Sequence, residues 1–162
     1  MQQISYDELK VIAKRVASSI LAQHGQNYAL VAVARGGLTF AHLVSYYLAA
    51  PLNFFNPKLG QMMLTQTYVR RTQFIFLEDV IAEGRTFRII DAYVTANEIE
   101  NWEVIPVIVD ENAPSDIQAR VNTYGMKTNA WMVFPHEEFD LTLEGDRGLF
   151  RDGTSSNSQS AV

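Results

Sequence analysis

Phe74-Ile75-Phe76-Leu77-Glu78-Asp79-Val80-Ile81-Ala82-Glu83-Gly84-Arg85-Thr86 is the stretch that decides the fold. Four apolar residues run into two adjacent carboxylates. Two more apolar residues follow, and a short loop with Gly84 and Thr86 then opens a helix. This order predicts a buried strand over 74–77, an acid pair at its carboxyl end, and an anion cradle at a helix N-terminus. Open α/β sheets bind ligands just outside the carboxyl ends of their strands. A helix N-terminus offers unpaired N–H groups and the positive end of a dipole, which suit phosphate. An acid pair beside such a cradle suits a ligand with a phosphate and a hydroxyl-rich or metal-chelated part.

The flanking sequence alternates helix and strand signals. Ser5 and Glu8 have the spacing of a capping box. Behind them Leu9, Ile12, Ala13, Val16 and Ile20 recur at helical spacing, predicting a helix over 6–23 that ends at Gly25. Residues 29–34 read as a buried parallel strand. Arg35-Gly36-Gly37 is a turn, 38–49 a helix stopped before Pro51, and 52–55 a second strand. Residues 56–60 read as a turn, and 62–69 as either a strand or a flap. A helix over 84–96, a strand over 104–109 and a polar loop over 110–115 follow. Shorter strands are expected over 120–126 and 130–134. The pattern predicts an α/β fold: an open, mainly parallel sheet flanked by helices, in a single domain over 1–150. The Ser-, Asn- and Gly-rich tail over 151–162 has almost nothing apolar to bury and is expected to be disordered.

Composition narrows the classes. The chain has 162 residues, 48% of them hydrophobic and 19% charged, enough for one domain with a real core. No apolar run approaches the length of a membrane span, and the first residues lack the basic start and apolar stretch of a signal peptide. Without cysteine there is no disulfide and no thiolate metal site. These features predict a cytoplasmic protein with no membrane partner. A net charge of −5 argues against a general nucleic-acid surface while leaving room for a locally positive site for a small anion.

Carboxylates such as Glu78 and Asp79 accept hydrogen bonds from sugar hydroxyls and hold Mg²⁺ directly or through water. Alone, the pair reads more readily as two solvated acids at a loop start; the phosphate loop behind it reverses that preference. In that loop Gly84 allows close backbone approach, Thr86 offers a hydroxyl, and Arg85 either pairs with phosphate or stands solvated. Arg35-Gly36-Gly37 repeats the strand–loop–helix arrangement, as a bidentate anion loop or a tight turn with an exposed arginine. His24, His42 and His136 have no metal-ligand spacing.

The 74–86 segment resembles the phosphoribosyl-pyrophosphate (PRPP) motif of type I phosphoribosyltransferases, and Ala34-Arg35-Gly36-Gly37-Leu38 resembles their pyrophosphate loop. Ser5-Tyr6-Asp7-Glu8-Leu9 and Ala130-Trp131-Met132-Val133-Phe134-Pro135-His136-Glu137 are similar to the xanthine-guanine and hypoxanthine branch. The resemblance covers roughly residues 4 to 140 and implies transfer of phosphoribosyl from PRPP to a purine-like base, with release of pyrophosphate. It also implies Mg²⁺ as cofactor, a small C-terminal hood, and a homodimer or homotetramer. By position, Glu78 and Asp79 would hold the ribose hydroxyls and the metal shell. Ala82, Glu83, Gly84, Arg85 and Thr86 would cradle the 5′-phosphate. Arg35, Gly36 and Gly37 would bind pyrophosphate, with a cis peptide expected between Arg35 and Gly36. Trp131, which otherwise reads as a core or interface tryptophan, would stack on the base. Met132 would present backbone groups to the base edge, and Glu137 would reach a second metal or position its loop.

Three departures bear on activity. Ala82 stands where the 6-oxopurine branch usually carries an aspartate near N7 of the base, leaving the adjacent Glu83 as a candidate catalytic substitute. Asp110 stands where that branch has a lysine, so a base there would have to donate to it. The stretch 56–73, where the family has a long closing loop with Ser-Tyr, is short; Thr67-Tyr68 is its nearest match, and Arg70 and Arg71 read as pyrophosphate contacts or surface charges. The rival reading is therefore a regulatory protein that binds PRPP or a nucleotide on the same fold without turnover.

Overall fold

A computed structural model describes residues 2–137. The described residues divide into two compact units, Tyr6–Ala130 and a smaller one combining residues 2–5 with 131–137. The expected disordered tail over 151–162 lies outside the described residues.

In the larger unit, α1 (Tyr6–His24) buries Leu9, Ile12, Ala13, Val16, Ala17 and Ile20, the face its periodicity predicts. The helix gives way at Gly25, whose φ is +58°. Then follow β2 (Tyr28–Val33), α2 (Leu38–Leu48), β3 (Leu52–Asn56), β4 (Gln61–Met63), β5 (Gln73–Ile81), α3 (Arg85–Ala96), β6 (Trp102–Asp110), α4 (Ser115–Gln118) and β7 (Met126–Thr128). The strands form a six-stranded sheet in the order β4-β3-β2-β5-β6-β7. Every neighbouring pair is parallel except β3 with β4. The smaller unit pairs β1 (Gln2–Gln3) in parallel with β8 (Met132–Val133).

The core is the meeting of apolar strand faces with the helices: Val31, Val33, Phe55, Phe76, Ile90, Val94 and Val104 are all buried. Phe55 meets Phe76 edge-on at 5.7 Å between ring centroids and Tyr93 at 5.2 Å, a geometry that adds to plain burial.

Several expectations need correction. β5 does not stop at Leu77 but runs through both carboxylates to Ile81, because β6 continues alongside it as far as Val109 and Asp110. The strand expected over 120–126 starts only at its last residue and runs over Met126–Thr128, where β6 offers a partner. The polar loop expected over 110–115 runs at its last residue into a short helix, α4. The cis peptide lies between Ala34 and Arg35, one residue earlier than expected; the turn starts at Ala34, whose N–H is held by Phe55 O at 2.8 Å.

The largest correction concerns 56–73. Residues 57–60 make a tight hairpin, β4 runs back antiparallel to β3, and 64–72 then reach the amino-terminal end of the sheet, where β5 starts. A fully buried Asn53 holds this segment. Its side-chain nitrogen donates to Leu30 O at 2.9 Å and to the Tyr68 hydroxyl at 2.6 Å, and its oxygen accepts from Thr65 N–H at 2.8 Å. Arg70 pairs there with Glu100 at 3.2 Å, and Arg71 O accepts from Asn27. Thr67-Tyr68, Arg70 and Arg71 therefore lie at the end of the sheet opposite the acid pair and are not part of a lid.

Candidate functional site

The strand order places the site. From β2 the chain crosses through α2 to β3 on one side, whereas from β5 it crosses through α3 to β6 on the other. The order reverses between β2 and β5, which makes a crevice at their carboxyl ends. Arg35, Gly36 and Gly37 leave β2 at this crevice, and Glu78 and Asp79 stand beside it in the carboxyl-terminal half of β5.

The two loops are in intimate contact. A Cβ on Gly36 would fall 2.8 Å from Asp79 Oδ1 and closer still to Oδ2. A Cβ on Gly37 would lie 3.0 Å from Val33 O and 3.1 Å from Glu78 Cα, and would collide with Leu77 O. The glycine pair is thus required by close approach of the backbone to β5. Asp79 Oδ1 accepts from Val80 N–H at 2.7 Å, and Glu78 Oε1 accepts from Asp79 N–H at 3.0 Å. Glu78 is only 4% exposed. Burial, and then the neighbouring Asp79 charge, hold its carboxyl well above the usual range. Asp79 is half-buried and is the more accessible carboxylate of the pair.

Beyond β5, Ala82 and Glu83 are exposed and Gly84 is buried. Gly84 caps α3 with φ +74°, and no side chain caps the helix. The first intrahelical bond returns from Arg88 N–H to Gly84 O at 3.0 Å, so the amides of the first turn point outward without helical partners. Here Gly84 serves both its backbone angle and its packing: a Cβ would strike Ile117 of α4. Arg85 pairs with Glu83 at 2.5 Å, both exposed. Thr86 sits half-buried in the first turn.

Asp110 ends β6, one strand over. Its Oδ1 accepts from Asn112 N–H at 2.7 Å and from the Asn112 amide at 3.1 Å, so that oxygen shapes its own loop. Trp131, Met132 and Glu137 belong to the smaller unit. Trp131 is 75% exposed, not a core tryptophan. Bonds from Gln2 and Ile4 end on Trp131 O and Val133 O. In a parallel ladder this leaves the Met132 backbone groups facing the other edge. Glu137 Oε2 accepts from Phe134 N–H, and Glu137 N–H donates to Phe134 O, both at 2.9 Å, so this carboxylate closes a turn. Among the described residues no group of three or more His, Cys, Asp or Glu could hold a metal ion, and no helix is long and apolar enough to cross a membrane.

Sequence reading missed Ile117, the buttress under Gly84, and with it α4. Pro114 followed by Ser115 and Asp116 was the available signal, a common helix start.

An open, mainly parallel sheet with glycine loops and an acid pair at its switch point defines a doubly wound α/β class. Within that class the chain has the phosphoribosyltransferase fold. It is similar to the purine phosphoribosyltransferase of Pyrococcus horikoshii, with a TM-score of 0.66 and 18% identity over 82% of this chain and 91% of that one. It is similar to the xanthine-guanine-hypoxanthine phosphoribosyltransferase of Helicobacter pylori, with a TM-score of 0.68 and 15% identity over 89% and 98%. A hypothetical protein from Neisseria gonorrhoeae with bound ppGpp is also similar, with a TM-score of 0.65 and 18% identity over 90% and 94%. The sequence matches no family model and no curated protein.

Proposed function

We propose that this chain is a type I phosphoribosyltransferase that binds PRPP with Mg²⁺ and transfers its phosphoribosyl group to a purine-like base. The observation that carries the reading is the packing of Gly36 against Asp79, which draws two anion loops and the acid pair into one crevice. Asp79 and Glu78 accept from the ribose hydroxyls. The amides at Ala82 to Thr86 receive the 5′-phosphate, and Arg35 with the Gly36 and Gly37 backbone receives the pyrophosphate. Two carboxylates are too few to cage Mg²⁺ by themselves. They fit an ion that arrives on pyrophosphate and keeps several waters, and that ion would neutralise the leaving group. Asp110, Trp131 and Met132 are the proposed base contacts, and Glu137 positions its turn. Glu83 is the carboxylate nearest Ala82; its pairing with Arg85 must open before it can handle a proton. Incubation with Mg²⁺, PRPP and a panel of bases should yield one nucleotide and pyrophosphate.

A second reading is favoured by one observation: the segment expected to close over the reaction is tied by Asn53 to the far end of the sheet. Without that cover, water exclusion falls to other parts of the chain. The same crevice then serves a protein that binds PRPP or a purine nucleotide without turnover, and bound ppGpp in the Neisseria protein is a ligand of this chemistry. Saturable PRPP binding with no product from any base selects this reading over the enzyme.

A further inference from the structure

The hairpin that joins β3 to β4 carries a cation with no role in the site so far. Val33 of β2 is in register with Phe55 of β3, and Ala32 with Leu77 of β5. One residue beyond Val33 and Phe55, and two beyond Ala32 and Leu77, residues Ala34, Asn56 and Asp79 reach the same level at the carboxyl edge. With neighbouring strands about 4.8 Å apart, Asn56 stands roughly 10 Å from Asp79, across the Arg35 loop. The hairpin is well fixed. Asn56 Oδ1 accepts from the N–H groups of Lys58 at 3.0 Å and Leu59 at 3.3 Å, and Gly60 completes the turn with φ +58°.

Lys58 is exposed at the tip of this turn. Among the described residues Lys58 and Arg35 enter no ion pair, as is also true of Lys14, Arg15, Arg71 and Lys127, but Arg35 and Lys58 are the two that follow the carboxyl ends of β2 and β3. Two uncommitted cations thus rise from adjacent strand ends. Both lie on the β3 side of the acid pair, and the α3 N-terminus lies on the β6 side. A ligand whose monophosphate sits on α3 and whose pyrophosphate sits on the Arg35 loop points that pyrophosphate toward β3.

We propose that Lys58 is a second cation for the pyrophosphate end of the ligand, acting beside Arg35; this rests on the PRPP reading above. Its ammonium, a point charge on a flexible stem, reaches the pyrophosphate oxygens from the open mouth of the crevice. It supplies there the charge that a closing loop would otherwise bring.

Calorimetric titration of the wild type, Lys58→Ala and Lys58→Arg with Mg²⁺-PRPP, Mg²⁺-pyrophosphate and ribose 5-phosphate tests this. Lys58→Ala should weaken pyrophosphate and PRPP about tenfold, the loss expected for one charge-assisted contact. Ribose 5-phosphate affinity should not change, and Lys58→Arg should retain most of the binding. Unchanged pyrophosphate and PRPP affinity in Lys58→Ala overturns the proposal, as does an equal loss for ribose 5-phosphate, which would mark a general charge effect. A wild type that binds neither PRPP nor pyrophosphate removes the underlying reading as well; a wild type that binds both, with Lys58→Ala equal to it, removes only Lys58. Thermal unfolding of the variants confirms that both remain folded.

Discussion

The Gly36 backbone lies directly against the Asp79 carboxylate, closer than any residue with a Cβ permits. The contact joins the turn after β2 to the end of β5 and makes one crevice from two loops. Gly37 presses on the same strand but meets backbone, at Leu77 O and Val33 O. The two glycines should therefore respond differently to the same substitution.

In Gly36→Ala the added methyl meets the end of a side chain, which can turn away. The fold should survive with a loss of about 1 kcal/mol or less, while PRPP affinity drops steeply because Asp79 is displaced. In Gly37→Ala the methyl meets fixed carbonyls, and stability should fall by about 2–3 kcal/mol. Denaturant unfolding and PRPP titration on both variants separate the effects; equal unfolding midpoints would refute the distinction.

Glu78 should make stability fall as pH rises. Its folded carboxyl titrates well above the ordinary 4.5, so the folded state holds a proton that the unfolded chain has released. Below pH 4.5 both states are protonated and Glu78 costs nothing. Above the folded pKa the buried charge costs its full amount. Glu78→Gln keeps the acceptor for Asp79 N–H but carries no charge. Without ligand it should be more stable than the wild type at neutral pH, with the advantage vanishing toward pH 4. Thermal melts of both proteins across that range provide the check, and a constant difference at all pH values would contradict it.

Asn53 spends both amide hydrogens and its oxygen inside the structure, so Asn53→Ala leaves Leu30 O and Thr65 N–H without their partner. A loss of about 2–3 kcal/mol is expected, with amide exchange accelerating first over 64–72. PRPP binding should persist under native conditions, because these residues lie at the opposite end of the sheet. A large loss of PRPP affinity in a folded variant would contradict the placement.

Arg120 grips Asp91 with two hydrogen bonds, at 2.8 and 2.9 Å, while its guanidinium covers Phe87 and Trp102 at 4.8 and 5.1 Å from their ring centroids. Both partners are well exposed, so Arg120→Ala should cost only about 1 kcal/mol. Arg120→Lys should recover part of this, since an ammonium lacks the planar fork. The Arg120 hydrogen bonds hold the Asp91 carboxyl below 3.8, so the pair's contribution is present above that pH and is lost as pH falls through the lowered folded value. Denaturant midpoints near neutrality and near pH 3 should show the mutational cost shrinking in acid.

Sequence alone determined the main helices and strands and the residue types at the candidate site. The helical period over 6–23, the apolar run into Glu78 and Asp79, and the glycine loop before α3 are consecutive residues whose meaning lies in their own spacing. The acid pair and the glycine loop were therefore legible as a candidate site before any coordinates. Tertiary structure decided what those pieces meet. Strand order brought Gly36 onto Asp79 and Ile117 under Gly84. One buried amide, Asn53, sent the expected lid to the other end of the sheet, while pairing with Gln2–Gln3 turned the Met132 backbone outward. Such contacts join residues far apart in the chain, and they are selected by which surfaces bury together, a property that no local spacing carries.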